Sequence, residues 1–392
     1  MQDMIYLDNA ATSFPKPDVV HDKMIGFYRT CGVNPGRSGC DMALQAEAMV
    51  DGTRRKLTAL FNASLVAAGK TKNHNRLIFT SNATHSLNLI LKGTIGPGDH
   101  VITTWMEHNS VIRPVNHLVK LGAEATFIRP GPDYLVDPQD VRRAIQRNTK
   151  LVIVNHGSNV CGAVQDIRAI GTVCSELGVP LAIDAAQTAG AFPIDMATWG
   201  VSFVAFTGHK SLLGPTGTGG ICVADDAEIA SSMWGGTGVR SADPYHLEEY
   251  PWRLEAGTLN VLGIAGLSAG MDWITEHGLE AIQEREDALA GHLVDGLREI
   301  RGVIVHAPAN GQPRVPTVSI TVKGWDPSDV GTILDVDYNI LTRTGLQCAP
   351  KAHEHIGTAP RGTVRFSVGP FNTQQHILAA IKAVGEIAAK RA

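Results

Sequence analysis

The sequence predicts an α/β fold: a large unit with a mainly parallel sheet between helices, then a smaller α+β unit toward the C-terminus. Three observations carry this. Between Leu77 and Val223, short apolar, β-branched runs alternate with helical patterns at the spacing of βαβ units. Thr84, His108, Asn159, Asp184, His209 and Lys210 all fall just after predicted strands, where ligands bind in such sheets. From Leu259 the pattern changes to two long helices followed by isolated strands.

In order, residues 6–12 read as an extended arm that turns at Ser13-Phe14-Pro15-Lys16-Pro17. Asp18 is expected to cap a helix over 18–29. Residues 31–40, with Asn34-Pro35-Gly36-Arg37-Ser38-Gly39, read as a glycine-punctuated loop, and 41–61 as a helix with apolar residues at three-to-four spacing. Strands are expected at 77–80, 100–104, 123–128, 151–155, 179–183, 203–206 and 220–223. Helices between them are expected at 81–92, 110–120, 137–147 and 167–177. Residues 233–253 read as loop, and 259–276 and 279–300 as long helices. Strands at 303–306, 317–322 and 362–367, with helices at 327–334 and 373–390, complete the chain. The expected division is 15–258 for the large unit, with 1–14 and 259–392 forming the small one.

Apolar residues make up 44% of the 392 and charged residues 18%, which suits a globular protein with a sizeable core. The net charge is −4 with no long basic run, so neither nucleic acid nor an anionic membrane is an expected partner. No apolar run approaches the ~18 residues of a membrane span. The first residues include Asp3 and Asp8 and no apolar h-region, so a cytoplasmic protein is expected. The six cysteines are too sparse for a disulfide scaffold and form no CxxC pair. Cys161, Cys174 and Cys222 stand in apolar surroundings and are expected in the core.

The chemistry is concentrated at strand ends. The strand expected at 203–206 runs into Thr207-Gly208-His209-Lys210 and then Gly214-Pro215-Thr216-Gly217-Thr218-Gly219-Gly220. A lone lysine at a strand end is ordinarily solvated. Partial burial among hydroxyls and glycines makes it a usable amine, able to form a Schiff base with a carbonyl cofactor. Ala83 and Thr84 offer backbone N–H groups at a helix start that suit a phosphate, with Thr207 and His209 as further donors; Thr84 reads equally as an ordinary N-cap. Asp184, in Asp184-Ala185-Ala186-Gln187, can keep a pyridine nitrogen protonated or cap a helix. The glycine run 214–220 lacks both nucleotide-loop spacings and precedes a strand, so it is not a nucleotide loop.

Thr207-Gly208-His209-Lys210 followed by Gly-Pro-Thr-Gly-x-Gly resembles the lysine loop of the pyridoxal 5'-phosphate (PLP) enzymes called class-V aminotransferases, and more narrowly their cysteine desulfurase and selenocysteine lyase branch. The resemblance runs from Tyr6-Leu7-Asp8-Asn9-Ala10-Ala11-Thr12 to Arg365-Phe366-Ser367. It implies fold type I of the PLP-dependent transferases. It also implies that Lys210 carries the cofactor, with Asp184 on the pyridinium, Gln187 on the ring hydroxyl and His108, from the family's Glu-His pair, stacked on the ring. Asn159 and Arg343 would contact substrate, and Arg365 would bind its carboxylate, a role suited to bidentate geometry. Glu255-Ala256-Gly257-Thr258-Leu259-Asn260 matches the segment that reaches the partner subunit's phosphate, which implies a homodimer with Gly257 and Thr258 at the shared site; Thr258 could equally cap the following helix.

Arg343-Thr344-Gly345-Leu346-Gln347-Cys348-Ala349 matches the Arg-x-Gly-x-x-Cys-Ala of desulfurases with a short catalytic segment, and Cys348 stands 17 positions before Arg365 as in that group. The resemblance therefore implies Cys348 as the sulfur-accepting nucleophile on a mobile loop, with Arg343 favouring its thiolate. Two departures stand out. Leu346-Gln347 replaces the usual His-His, and Cys40 replaces a usual histidine, either as a sulfur relay or as a tolerated change. His353 and His355 follow closely, but their spacing matches no standard zinc pattern, so no metal is expected. The implied activity is conversion of L-cysteine to L-alanine with a persulfide on Cys348, passed to a sulfur-acceptor protein as in iron–sulfur cluster assembly. The alternatives are a selenocysteine lyase or cysteine-derivative β-lyase, or a non-catalytic sulfur carrier or scaffold. Intact Lys210, Asp184, Gln187 and Arg365 argue against the last.

Overall fold

The apolar runs in the middle of the chain pair into one sheet. A computed structural model describes residues 4–36 and 40–391. Asp3, and Arg37, Ser38 and Gly39 of the glycine-punctuated loop, lie outside the described residues. The chain opens with β1 (Ile5–Tyr6), α1 (Asp18–Cys31), α2 (Asp41–Leu60), α3 (Ala63–Ala67), β2 (Leu77–Thr80), α4 (Ala83–Thr94), β3 (His100–Thr104), α5 (Asn109–Lys120) and β4 (Glu124–Ile128). There follow α6 (Pro138–Ala144), β5 (Thr149–Asn155), α7 (Ile167–Glu176), β6 (Leu181–Asp184), α8 (Met196–Trp199), β7 (Phe203–Thr207), β8 (Gly219–Val223) and α9 (Val261–His277). The remainder is α10 (Leu279–Arg298), β9 (Val303–His306), β10 (Thr317–Val322), α11 (Pro327–Tyr338), β11 (Ile340–Leu341), β12 (Arg343–Gly345), α12 (Pro350–His355), β13 (Thr363–Ser367) and α13 (Gln374–Ala389).

The large sheet has the order β2-β8-β7-β6-β5-β3-β4, parallel except where β8 runs against both neighbours. Every residue of β2, β3, β6, β7 and β8 is buried, as a sheet covered on both faces requires. Alternate residues of β6 serve the two faces. Leu181 and Ile183 join a cluster with Leu57 of α2 and Ile170 of α7, while Ala182 joins Leu87 of α4 and Val111 of α5. The strand after β3 pairs on one side of it and β5 on the other. That reversal opens a crevice at the carboxyl ends of β3 and β5.

The small unit is a four-stranded antiparallel sheet, β12-β13-β10-β9. Leu293 of α10, Val318, Phe366 and Val384 of α13 form its core. The N-terminal arm belongs here, because β1 pairs in parallel with β11 and Leu7 is buried in the same core. No helix among the described residues is long and apolar enough to cross a membrane.

Several expectations need revision. The helix expected over 259–276 was assigned to the small unit, but Ile264, Leu267, Met271 and Ile274 of α9 pack into the larger core. It packs mainly against α1 and α2, and less against α10. We propose a division at Gly278, where the chain takes a positive φ of 79° between α9 and α10, in place of 258/259. Asp18 does not cap α1: Pro17 holds that position and no side-chain cap bond forms, so Asp18 acts through its charge in the first turn. α6 stops at Ala144, short of 147, because the Gln146 N–H turns to the Thr149 hydroxyl. The short elements α8, β11, β12 and α12 escaped the sequence reading because they span too few residues to show a period.

Candidate active site

Lys210 lies just past β7, beside β6, whose Asp184 pairs in register with Ala205. Its loop is gripped by the N-terminal arm. The His209 carbonyl accepts from Ser13 N at 3.1 Å, Thr12 Oγ1 at 3.0 Å and Lys16 Nζ at 2.6 Å. Ser13 Oγ donates to the Lys210 carbonyl at 2.9 Å. The loop also doubles back tightly: a Cβ on Gly208 would lie 2.2 Å from Thr218 Oγ1, so only glycine fits there. Burial pulls the Lys210 ammonium down to about 8, with Asp184 opposing and Arg365 assisting. Burial raises the Asp184 carboxyl, while the Ala186 N–H and Lys210 hold it down. The carboxylate and the ammonium thus stabilise each other's charged forms, while burial favours the neutral amine.

The wall beside them is built by α4 and α5. Asn82, not Thr84, caps α4, accepting from His85 N at 2.9 Å. Thr84 stands inside the first turn, its hydroxyl 2.6 Å from that of Ser110. The α4 N-terminus, with Ala83, Asn82 and Thr84 on the cavity wall, suits an anion such as a phosphate. Ser110 also donates its N–H to His108 Nδ1 at 3.0 Å. Burial, then Lys210, Arg365 and Arg113, push His108 down to about 4. Its ring is therefore neutral, and with Nδ1 accepting, the proton sits on Nε2. His209 is likewise pushed down to about 4 by burial and by Lys210 and Lys16, and its buried Nδ1 has no partner.

The small unit supplies the opposite side. Arg365, on β13, is 3% exposed and donates through Nη2 to Asp8 Oδ1 at 2.6 Å and through Nη1 to the Asn159 carbonyl at 3.0 Å. Its Nε is buried without a partner, and the residue lines the cavity, where a guanidinium suits a carboxylate. Arg343 lies directly opposite Arg365 across β12 and β13 and is exposed. Gln347 and Cys348 both take left-handed backbone, at φ 39° and 58°, a strained choice for non-glycine residues that marks functional turns. The turn is pinned rather than loose. Asn159 Nδ2 donates to the Gln347 carbonyl at 2.7 Å, and Asn109 N to the Cys348 carbonyl at 2.7 Å. The Gln347 amide points inward, accepting from buried His353 at 2.7 Å. Cys348 itself is exposed. The segment expected as a loop around Cys348 forms a hydrogen-bonded turn between β12 and α12.

These side chains line one cavity of about 360 Å³. It gathers Ala83, Thr84, His108, Asn159, Asp184, Gln187, Thr207, His209, Lys210, Arg343, Cys348 and Arg365. It does not include Gly257 and Thr258, which line a separate surface hollow of about 720 Å³ with Arg54 and Glu255. Two residues are more committed than their expected roles suggest. Gln187 Nε2 donates to the Ala10 carbonyl at 3.0 Å, and Asn159 keeps only a buried Oδ1 without a partner. Cys161, Cys174 and Cys222 are buried, as expected.

The class-V aminotransferase model matches residues 5–379. The chain belongs to the class-V aminotransferase family. A relative from Methanothermobacter thermautotrophicus, described as a probable cysteine desulfurase, is 32% identical over 99% of this chain and 96% of its own. The apo structure of a cysteine desulfurase from Thermococcus onnurineus NA1 superposes with a TM-score of 0.91 at 31% identity, covering 99% of this chain and 96% of that one. The S-sulfonic acid form of the Escherichia coli cysteine desulfurase CsdA superposes at 0.87 with 28% identity, over 100% and 96%.

In this class-V chain three site residues were missed by sequence reasoning. Asp8 holds Arg365, Lys16 holds the lysine loop, and Glu107 lies fully buried behind the cavity wall. Asp8 and Lys16 stood in quoted motifs but carried no signal of their partners, which are distant in sequence. Glu107 was visible only as the neighbour of His108.

Proposed function

We propose that this chain is a PLP-dependent cysteine desulfurase acting as a homodimer. The observation that carries the reading is one cavity shared by Lys210, Asp184, Arg365 and Cys348: an amine, an anion, a carboxylate receptor and a thiol, the set the reaction needs. The relatives named above support it. The cavity's donor set fits the cofactor: the α4 N-terminus and Thr207 for the phosphate, Lys210 for the carbonyl, Asp184 for the ring nitrogen, His108 for a ring face and Gln187 for the ring hydroxyl. When bound, PLP supplies an electron sink for the bond breaking at Cα.

The side chains then divide the work. Arg365 receives the carboxylate of L-cysteine, next to Asn159 and with Arg343 opposite it across β12 and β13. The Lys210 amine yields its place to the substrate amine and takes the Cα proton at Nζ, which its lowered pKa permits. Asp184 remains anionic opposite it. The Cys348 thiolate attacks the substrate sulfur. A new S–S bond forms as the substrate Cβ–S bond breaks; the electron pair stays with carbon, which takes up protons and leaves as alanine. Gln347, turned inward to His353, offers no proton where relatives have histidine, so Lys210 is the carrier. The exposed Cys348 then hands its outer sulfur to an acceptor protein, consistent with a role in iron–sulfur cluster assembly. Gly257 and Thr258 lie outside this cavity because they serve the partner's phosphate.

The deciding experiment gives L-cysteine to Cys348→Ala and measures alanine and protein-bound persulfide. Loss of both with cofactor binding retained supports the reading. Retained turnover replaces it with a lyase that needs no protein thiol.

A further inference from the structure

Glu107 stands three residues past the end of β3 with no exposed surface. Its Oε1 accepts from Thr104 Oγ1 at 2.7 Å and from Asn155 N at 2.9 Å. Its Oε2 is buried without a partner, and so is Oδ1 of Asn155. Asn155 is in turn the register partner of Asp184. The charged group acting on Glu107 is therefore another carboxylate, Asp184 from β6; His108, next to it on its own segment, is neutral.

We propose that Glu107 is a positioning residue that works as a neutral carboxylic acid, tying the end of β3 to Asn155 and leaving Asp184 as the anion of that wall. This rests on the reading of Asp184 given above. Two buried carboxylates in one site cannot both ionise at low cost. Asp184 has a cation, Lys210, and a backbone donor, Ala186 N–H, that both oppose the effect of its burial. Glu107 is held only by neutral donors, so it takes the proton; burial, with Asp184 adding, pushes its carboxyl up to about 8. The proton belongs on Oε2, because Oε1 already accepts twice and no donor reaches Oε2. An ionised Glu107 would push Asp184 toward protonation and weaken its hold on a ring nitrogen.

The test uses Glu107→Gln, which keeps size, acceptor and neutrality, against Glu107→Ala, which keeps none. With purified protein and pyridoxal 5'-phosphate, Glu107→Gln should bind within about threefold of the parent and keep its absorbance spectrum, the scale of one exchanged neutral hydrogen bond. Glu107→Ala should weaken binding well beyond that. Infrared spectra with ¹³C-labelled glutamate should show protonated-carboxyl bands at pH 7, one removed by Glu107→Gln. Glu286→Gln should remove the other, since Glu286 is also buried and pushed up to about 8. Glutamine losing the cofactor as fully as alanine, or a Glu107 band that appears only in acid, overturns the proposal. A labelled parent with no such band at pH 7 overturns it even if no variant folds. The infrared readout needs no cysteine, so a chain that bears the band but fails to desulfurate sinks the functional reading instead.

Discussion

Arg365 and Asp8 meet at 2.6 Å in a pocket that leaves Arg365 only 3% exposed. The pair ties the N-terminal arm to β13 and holds the guanidinium at the cavity wall. Arg365→Lys keeps the charge but loses the planar fork. It is expected to raise KM for L-cysteine about 10- to 100-fold, the range for a lost hydrogen bond to a charged group. Asp8→Asn should raise KM less and leave kcat closer to the parent. Steady-state kinetics at saturating cofactor check both; equal KM for Arg365→Lys and the parent would remove Arg365 from the substrate site.

Cys348→Ala is expected to keep cofactor binding and lose alanine production from L-cysteine. Its backbone turn is held by Asn109 and Asn159 through main-chain carbonyls, so loss of the thiol leaves the site's framework standing. Cys40→Ala serves as the control and should retain turnover. Wild-type turnover in Cys348→Ala, with loss in Cys40→Ala, would reassign the nucleophile.

The Lys210 ammonium is lowered from 10.5 to about 8, so the neutral amine gains population as pH rises through 8. Attachment of PLP should therefore speed up by about tenfold per pH unit below 8 and level off above it. Because Asp184 raises this pKa, Asp184→Asn should move the midpoint lower. Stopped-flow absorbance over a pH series measures both; a rate still climbing toward 10.5 would mean an exposed, ordinary lysine. Borohydride reduction followed by mass spectrometry should place the cofactor on Lys210.

Thr258→Ala should weaken cofactor binding although Thr258 lies outside its own chain's cavity. That outcome requires a dimer, in which the hydroxyl serves the partner. Equilibrium sedimentation and cofactor titration check it together, and a fully active monomer at micromolar concentration contradicts it.

The buried pair Arg54–Glu255, with Nη2 at 2.6 Å from Oε2, supports the turn that carries Gly257 and Thr258. Glu255 also accepts from Phe79 N at 2.6 Å. Arg54→Met leaves that carboxylate unpaired and should destabilise the fold by about 3–5 kcal/mol. Replacing Glu255 by leucine as well should recover part of the loss. Denaturant midpoints of the two variants decide.

The sequence by itself determined the strands, because apolar and β-branched runs bounded by turn residues are local patterns; β2, β3, β9 and β10 fall on the expected residues. It also pointed to strand ends that the structure gathers on one cavity, since Lys210, Asp184 and His108 each follow an apolar run within a few positions. What each group meets is set by the path of the folded chain. Asp8 and Arg365 lie 357 positions apart, and Asn159 and Gln347 188 apart, so no local pattern could pair them. The left-handed turn at Gln347 and Cys348 was illegible because neither is glycine and the strain is borne by contacts from α5 and β13. The packing of α9 was illegible for a related reason: an apolar helix shows that it is buried, but its main partners, α1 and α2, are set by the chain's path. Burial and pairing also set the protonation of Lys210, His108 and Glu107, because a pKa responds to everything within a few ångströms, wherever in the chain it comes from.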